Sequence, residues 1–155
     1  MLKTSISNLV KTIESIMFDE MESAEIMEEQ YVSITVKYDS LLKVAETLRD
    51  KLSFSIPVAC GGIDYPDEGK MQMIYYISNP ESRFLITLRV NIPRDSPKLP
   101  SLTQVWEAMS FHEREAHEMF GIAFDGHPNL VPLLLPPSWK GGYPLRKDFK
   151  GEGVE

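Results

Sequence analysis

Cysteine is nearly missing from this chain of 155 residues, in which Cys60 stands alone. One thiol forms no internal disulfide, and one thiolate cannot hold an iron–sulfur cluster, which normally takes four ligands. A reduced, intracellular setting is expected. Cys60 reads either as a small half-buried residue beside "GG" or as a reactive thiol, and packing is the commoner fate of a free cysteine. Basic charge is also short, with 16 Lys and Arg against 23 Asp and Glu and a formal net charge of −7. Non-specific nucleic-acid binding needs a basic face to displace counterions, so nucleic acid is not an expected partner. Long apolar runs are absent too. The opening "MLKTSISNLVKTIESIMFDE" lacks the apolar core of a secretory signal. "LVPLLLPP" falls well short of the roughly 20 residues that span a membrane, and prolines cut it. Any membrane connection is therefore expected to run through partners.

Catalytic fingerprints are missing as well. No G-x-G-x-x-G follows a strand, and neither a P-loop nor a G-x-S-x-G elbow occurs. Asp64, Asp67 and Glu68 crowd around Pro66. Carboxylates in a turn are common, and solvation or capping accounts for them.

What is present is periodicity enough for one domain with a real core. Leu2, Ile6, Leu9, Val10, Ile13 and Met17 recur at helical steps. The acidic "DEMESAEIMEEQ" reads as a solvated turn or edge strand, and "YVSITVKY" as a strand. Asp39 or Ser40 is placed to cap a second helix carrying Leu41, Leu42, Val44, Ala45 and Leu48. "FSIPVACGGIDYPDEG" reads as a strand running into a glycine and proline loop. "MQMIYYIS" and "RFLITLRVNI", joined by "NPES", form the clearest hairpin, with Phe84, Ile86, Leu88, Val90 and Ile92 on one face. "PRDSPKLPS" reads as a loop. Ser101 or Thr103 then caps a helical region with Leu102, Val105, Trp106 and Met109, which continues or restarts through "FHEREAHEMF" and stops at Gly121. The order implies an α+β fold, a two-layer sandwich of helices on a mainly antiparallel sheet.

The core domain is expected over residues 1–124. Residues 125–155 change character, being dense in proline and glycine yet rich in Leu130, Leu133 to Leu135, Trp139, Tyr143 and Phe149. A disordered linker is poor in such residues. An extended Pro/Gly-rich C-terminal arm that buries them on its own domain or on a neighbouring subunit fits better.

The three histidines invite a metal reading. His112 and His117 are five apart, about 140° round a helix at 100° per residue, so "HEREAH" is not the H-E-x-x-H of a zinc protease. A weaker set remains, with Glu113 and His117 on one face and His127 folding back, which would make a small metal-dependent hydrolase. The plainer alternative is a charged helix with i,i+4 partners.

Three blocks in order carry a family resemblance: "EREAHEMFGIAFDGHP" from Glu113 to Pro128, "LLLPPSW" from Leu133 to Trp139, and "PLRKDF" from Pro144 to Phe149. Together with "GGIDYP" they resemble the 30-kDa-type hydrophilic subunit of respiratory complex I. Its relatives occur in membrane-bound energy-converting hydrogenases. The resemblance implies a non-catalytic connecting subunit that binds no cofactor, with iron–sulfur clusters, and nickel–iron in the hydrogenases, held by partner subunits. It implies packing against the hydrogenase-like large subunit of the 49-kDa type, near the iron–sulfur subunits of the peripheral arm. The location implied is cytoplasmic, attached peripherally to the inner face of the membrane. The parent complex would be an NADH-, ferredoxin- or F(420)-type dehydrogenase reducing quinone or phenazine, or else a nickel–iron hydrogenase. His112 and His117 stand where the family commonly has aromatics, and Val131 stands where it usually has a basic residue. One extra residue separates Trp139 from "PLRKD". These departures lean toward hydrogenase-like or archaeal-type assemblies.

Carried onto this chain, the partner-facing residues are Glu113, Arg114, Glu115, His127, Pro128, Trp139, Tyr143, Pro144, Leu145, Arg146, Lys147 and Asp148. Arg114 between two glutamates offers a guanidinium for bidentate pairing that orients a partner, or a solvent-facing ion pair worth under about 1 kcal/mol. His127 either donates from both ring nitrogens to pin the arm or caps a turn. Arg146 and Lys147 make the tail locally basic, suited to an acidic patch, with Trp139, Tyr143 and Arg146 as anchors. A free-standing adaptor is the remaining reading.

Overall fold

The computed structural model describes residues 5–151. Helix α1 (Ile6–Met17) is capped by Ser5, whose hydroxyl accepts the Asn8 amide, and it buries Leu9, Ile13 and Met17. Leu2, assigned to the same face from the sequence, lies outside the described residues. Strands β1 (Met21–Glu28) and β2 (Tyr31–Val36) pair antiparallel, so the acidic segment is the edge strand of its two readings. Helix α2 (Leu41–Leu52) follows a short 3-10 turn. Ser40 sits at its N-cap but gives its hydroxyl to Asp39, so neither expected residue caps the helix through its side chain.

Three long strands complete the main sheet: β3 (Ile56–Tyr65), β4 (Lys70–Ser78) and β5 (Leu85–Pro93). Their order is β1-β2-β5-β4-β3, antiparallel throughout except for the parallel β2–β5 pair. The register lines up Ile34, Leu88, Tyr75 and Cys60 in one row and Val36, Val90, Met73 and Gly62 in the next. These rows form one core with the apolar faces of the helices. On the other face Arg89 donates to Ser33 and Gln72, and Gln72 donates to Asn91. Alternation of this kind keeps one sheet face apolar and the other polar. The result is the expected α+β two-layer sandwich.

Three local expectations need correction. The "GGID" segment is not a loop: β3 runs through both glycines to Tyr65, and a 3-10 turn with Gly69 at φ +62° connects it to β4. Gly62 lets the Phe120 ring approach closely, since a Cβ there would lie 3.0 Å from that ring and press on it. "PRDSPKLPS" is not all loop, since β6 (Lys98–Pro100) pairs in parallel with β7 (Ala123–Asp125). The region after Ser101 is turns rather than regular helix until α3 (Met109–Phe120) begins. There Trp106 donates its indole N–H to the Phe54 carbonyl at 3.1 Å, tying the end of α2 to the approach to α3.

Candidate functional site

The residues singled out from the sequence meet along α3 and the chain that follows it. Helix α3 turns Met109, Glu113, Ala116 and Phe120 inward. It ends at Gly121, whose φ of +75° is the left-handed conformation that closes a helix. The Tyr143 ring lies so close that a Cβ on residue 121 would overlap it. Only glycine satisfies both demands.

Glu113 is fully buried in its own chain. Its carboxylate accepts from Ser101 Oγ at 2.6 Å and from the Leu102 amide at 2.7 Å. Burial pushes its pKa up to about 7, against the lowering influence of those two hydrogen bonds. Ser101 thus serves as a buried donor rather than a helix cap. Arg114 does not pair with the glutamates beside it: Nε donates to the Val131 carbonyl at 3.0 Å and Nη2 to the Pro132 carbonyl at 2.8 Å. Glu115 is exposed.

Residues 126–150 have no regular helix or strand, and α3 holds them through a series of polar contacts. His127 Nδ1 accepts from the Asn129 amide at 3.0 Å, so Nε2 carries the proton and donates to the Ser110 carbonyl at 3.1 Å. One nitrogen donates rather than both. Pro128 beside it is exposed. The Glu118 carboxylate accepts three consecutive amides, those of Leu133, Leu134 and Leu135, at 2.8 to 3.1 Å. Trp139 donates to the Gly142 carbonyl and leans on Phe149, with 6.0 Å between ring centroids. At the far end the Leu145 amide donates to the Met119 carbonyl, and Arg146 Nε to the Phe120 carbonyl at 2.7 Å. Those carbonyls belong to the last turn of α3, where a helix leaves acceptors unmatched and favours a cation. The Arg146 guanidinium also lies 4.5 Å from the Tyr143 centroid.

The last anchor comes from the sheet. Asp64, at the end of β3, has a buried side chain and receives Arg94 twice, Nε at 2.7 Å and Nη2 at 3.0 Å. The same carboxylate accepts the Lys147 amide at 2.9 Å, and Arg94 reaches on to Asp148 at 2.9 Å. The Arg94 guanidinium holds the Asp64 carboxyl below the usual carboxylate range, with help from the Lys147 amide. Asp64 is therefore not a solvated turn residue.

No metal centre forms from the histidines. Glu113 points inward, His117 Nδ1 donates to the Ile122 carbonyl at 2.8 Å, and His127 faces Ser110. Among the described residues no three His, Cys, Asp or Glu side chains converge on a possible ion. Burial raises the Cys60 pKa and keeps its thiol protonated, which fits packing rather than reactivity.

Sequence reasoning missed Glu118, Asp64 and Arg94 as anchors of the arm. A signal existed for Glu113, which falls on the buried stripe set by Met109, Ala116 and Phe120.

A family model described as the respiratory-chain NADH dehydrogenase 30 Kd subunit matches residues 34–155. The chain belongs to that family. In Methanosarcina mazei, the F(420)H(2) dehydrogenase subunit designated C is 36% identical over 116 residues, covering 75% of this chain and 73% of the relative. Its counterpart in the NADH-quinone oxidoreductase of Moorella thermoacetica is 36% identical over 118 residues, covering 76% and 79%. Among solved structures, a chain of the membrane-bound sulfane sulfur reductase, an archaeal respiratory membrane complex, superposes with a TM-score of 0.85. It is 24% identical, with 94% of this chain and 85% of that one covered. A trypsin-resistant fragment of Nqo5 gives 0.66 at 20% identity, covering 81% and 98%. At those identities the two structures bear on the fold alone, which they share with this chain.

Proposed function

We propose that this chain is the non-catalytic connecting subunit of a complex I-related membrane-bound oxidoreductase, seated on the hydrogenase-like large subunit of the 49-kDa type. Family membership over residues 34–155 carries the reading. In it, iron–sulfur clusters sit in the neighbouring subunits and this chain holds no cofactor. It lies on the cytoplasmic face, attached to the membrane through its partners. No helix among the described residues is long and apolar enough to cross a membrane.

The surface chemistry supports α3 and the arm as the docking face. The arm directs its backbone polar groups inward, onto Arg114, Glu118 and Asp64, packs Leu130 on the core and leaves several other apolar side chains outward. Phe111, Val131, Leu134, Tyr143 and Leu145 are 41% to 63% exposed. Apolar and aromatic groups held outward on an anchored backbone are the composition of an interface core.

Affinity purification of the tagged chain from native membranes, with mass spectrometry of what comes with it, tests the reading. The expected companions are the large subunit and the iron–sulfur subunits. The large subunit's own sequence then tells a dehydrogenase from a nickel–iron hydrogenase. A monodisperse, partner-free chain would overturn the proposal in favour of a free-standing adaptor. Arg146 already serves α3 within the chain, so Lys147→Glu is the cleaner probe of basic docking, and unchanged recovery of the large subunit would remove that part of the proposal.

A further inference from the structure

Among the described residues the arm has no ladder of its own beyond Asp125, so something else must set its conformation. Its near half is anchored at Ser110, Arg114 and Glu118, all on the helix that leads directly into it. Such contacts are close in sequence and fix only the near half of the arm. The far end is held by the last turn of α3, through the Leu145 amide and Arg146, and also from the sheet, by residues 83 and 54 positions away in the chain: the Lys147 amide on Asp64, and Asp148 on Arg94. We infer that Asp64 and Arg94 are a positioning pair, which sets the arm in its docking conformation before the large subunit arrives.

The chemistry suits that task. Asp64 is a buried charge, and such a group persists only when it is paired and hydrogen-bonded. A bidentate guanidinium fixes the angle between the two groups as well as their separation. Arg94 then has an Nη2 edge shared between Asp64 and Asp148, so one planar cation joins β3, the chain after β5 and the arm. Asp64 Oδ2 meanwhile takes both Arg94 and the Lys147 amide. The arm end is thus registered to the sheet by a backbone atom, which any side chain at residue 147 would permit. Between Gly126 and Pro144 the chain is irregular, and ordering it on the partner would cost affinity. A pair that orders it beforehand removes that cost without touching the partner.

The inference rests on the docking reading above, and the experiment separates the two. Wild-type, Asp64→Asn and Arg94→Lys chains are compared for trypsin cleavage at Lys140, Arg146 and Lys147, free and with the co-expressed large subunit. Lysine at residue 94 keeps the counter-charge for Asp64 but loses the planar fork, so this variant folds even where Asp64→Asn does not. The expected result for Arg94→Lys is an unchanged unfolding midpoint, arm cleavage in the free chain about tenfold faster, and affinity for the large subunit about tenfold weaker. Protection should return in the complex, a recovery that general destabilisation would not give. Faster cleavage with unchanged affinity, or unchanged cleavage, would overturn the inference. If wild type itself fails to hold the large subunit, the docking reading falls, and the free-chain cleavage still decides whether the pair holds the arm.

Discussion

The body and the arm are built on opposite plans. In the body, backbone groups pair in strand ladders and helices, and apolar side chains such as Ile34, Leu88 and Tyr75 turn inward and are fully buried. In the arm, backbone groups meet side chains (Arg114, Glu118 and Asp64 each supply a partner), and Val131, Leu134, Tyr143 and Leu145 turn outward. The body is held chiefly by the hydrophobic effect, which acts without direction and resists salt. The arm is held by directional, charge-assisted bonds, several of them half-exposed. One chain therefore contains a region whose backbone pairs with itself and a region whose backbone is held by side chains.

The largest expected effect tests that division directly. Leu88 lies at the centre of the sheet with no exposure, so Leu88→Ala should lower global stability by about 2–5 kcal/mol in urea unfolding. Leu134→Ala, on the exposed side of the arm, should change stability by no more than about 0.5 kcal/mol while weakening recovery of the large subunit. Equal losses of stability from the two would show that body and arm are held in the same way.

The next effect uses two carboxylates with opposite pH behaviour. Glu113 in the body has a folded pKa near 7 against an ordinary 4.5, so its contribution is fully present below about 4.5 and lost as pH rises through about 7. The lost amount is on the order of 3 kcal/mol. Cys60 and Tyr75 on the sheet lie near enough to feel its charge, neither is a cation, and among the described residues the buried Tyr75 hydroxyl has no hydrogen-bond partner. Glu113→Gln should flatten the stability profile between pH 5 and 8, read from urea midpoints. Asp64 behaves the other way: its lowered pKa gives stability present above about 3.8 and lost as pH falls below that value. Arm protection should therefore fail in acid while the body tightens. A pH profile that Glu113→Gln leaves unaltered would show that the buried carboxylate is not what sets the slope.

A smaller effect is expected at Glu118. It accepts three arm amides, yet it stands near the C-terminal end of α3, where the helix dipole disfavours an anion. Glu118→Ala should free the arm locally by about 1 kcal/mol and return a few tenths to the helix. Faster amide exchange at Leu133 to Leu135 with an almost unchanged midpoint is the expected readout.

These contrasts also explain what the sequence made legible. Periodic apolar residues identified both N-terminal helices, the hairpin of β4 and β5, and the stop at Gly121, because burial by the hydrophobic effect leaves a mark at helical or strand spacing. The arm was recognised by the mismatch between its prolines and its apolar residues, but its anchors were not. A carboxylate reads alike whether water or three amides surround it, so nothing singled out Glu118, and Asp64 read as a solvated or capping turn residue. The parallel β2–β5 pair was equally hidden, since adjacency across a crossover leaves no local pattern. Gly61 and Gly62 suggested a loop; their actual setting is a strand that admits the Phe120 ring.

The smallest expected effect marks the seam between the two plans. Lys98 on β6 and Asp125 at the end of β7 form an ion pair of 2.9 Å, and both side chains are more than half exposed. Water screens such a pair, and holding two free side chains in one geometry offsets much of the attraction. What secures this seam is instead the short parallel pairing, including the Ser101 amide on the Asp125 carbonyl at 2.8 Å. Lys98→Ala should then leave the urea midpoint almost unchanged, with trypsin cleavage within the arm unaltered. A larger drop in that midpoint, disappearing at high salt, would mean that the body too depends on exposed charge where the arm departs from it.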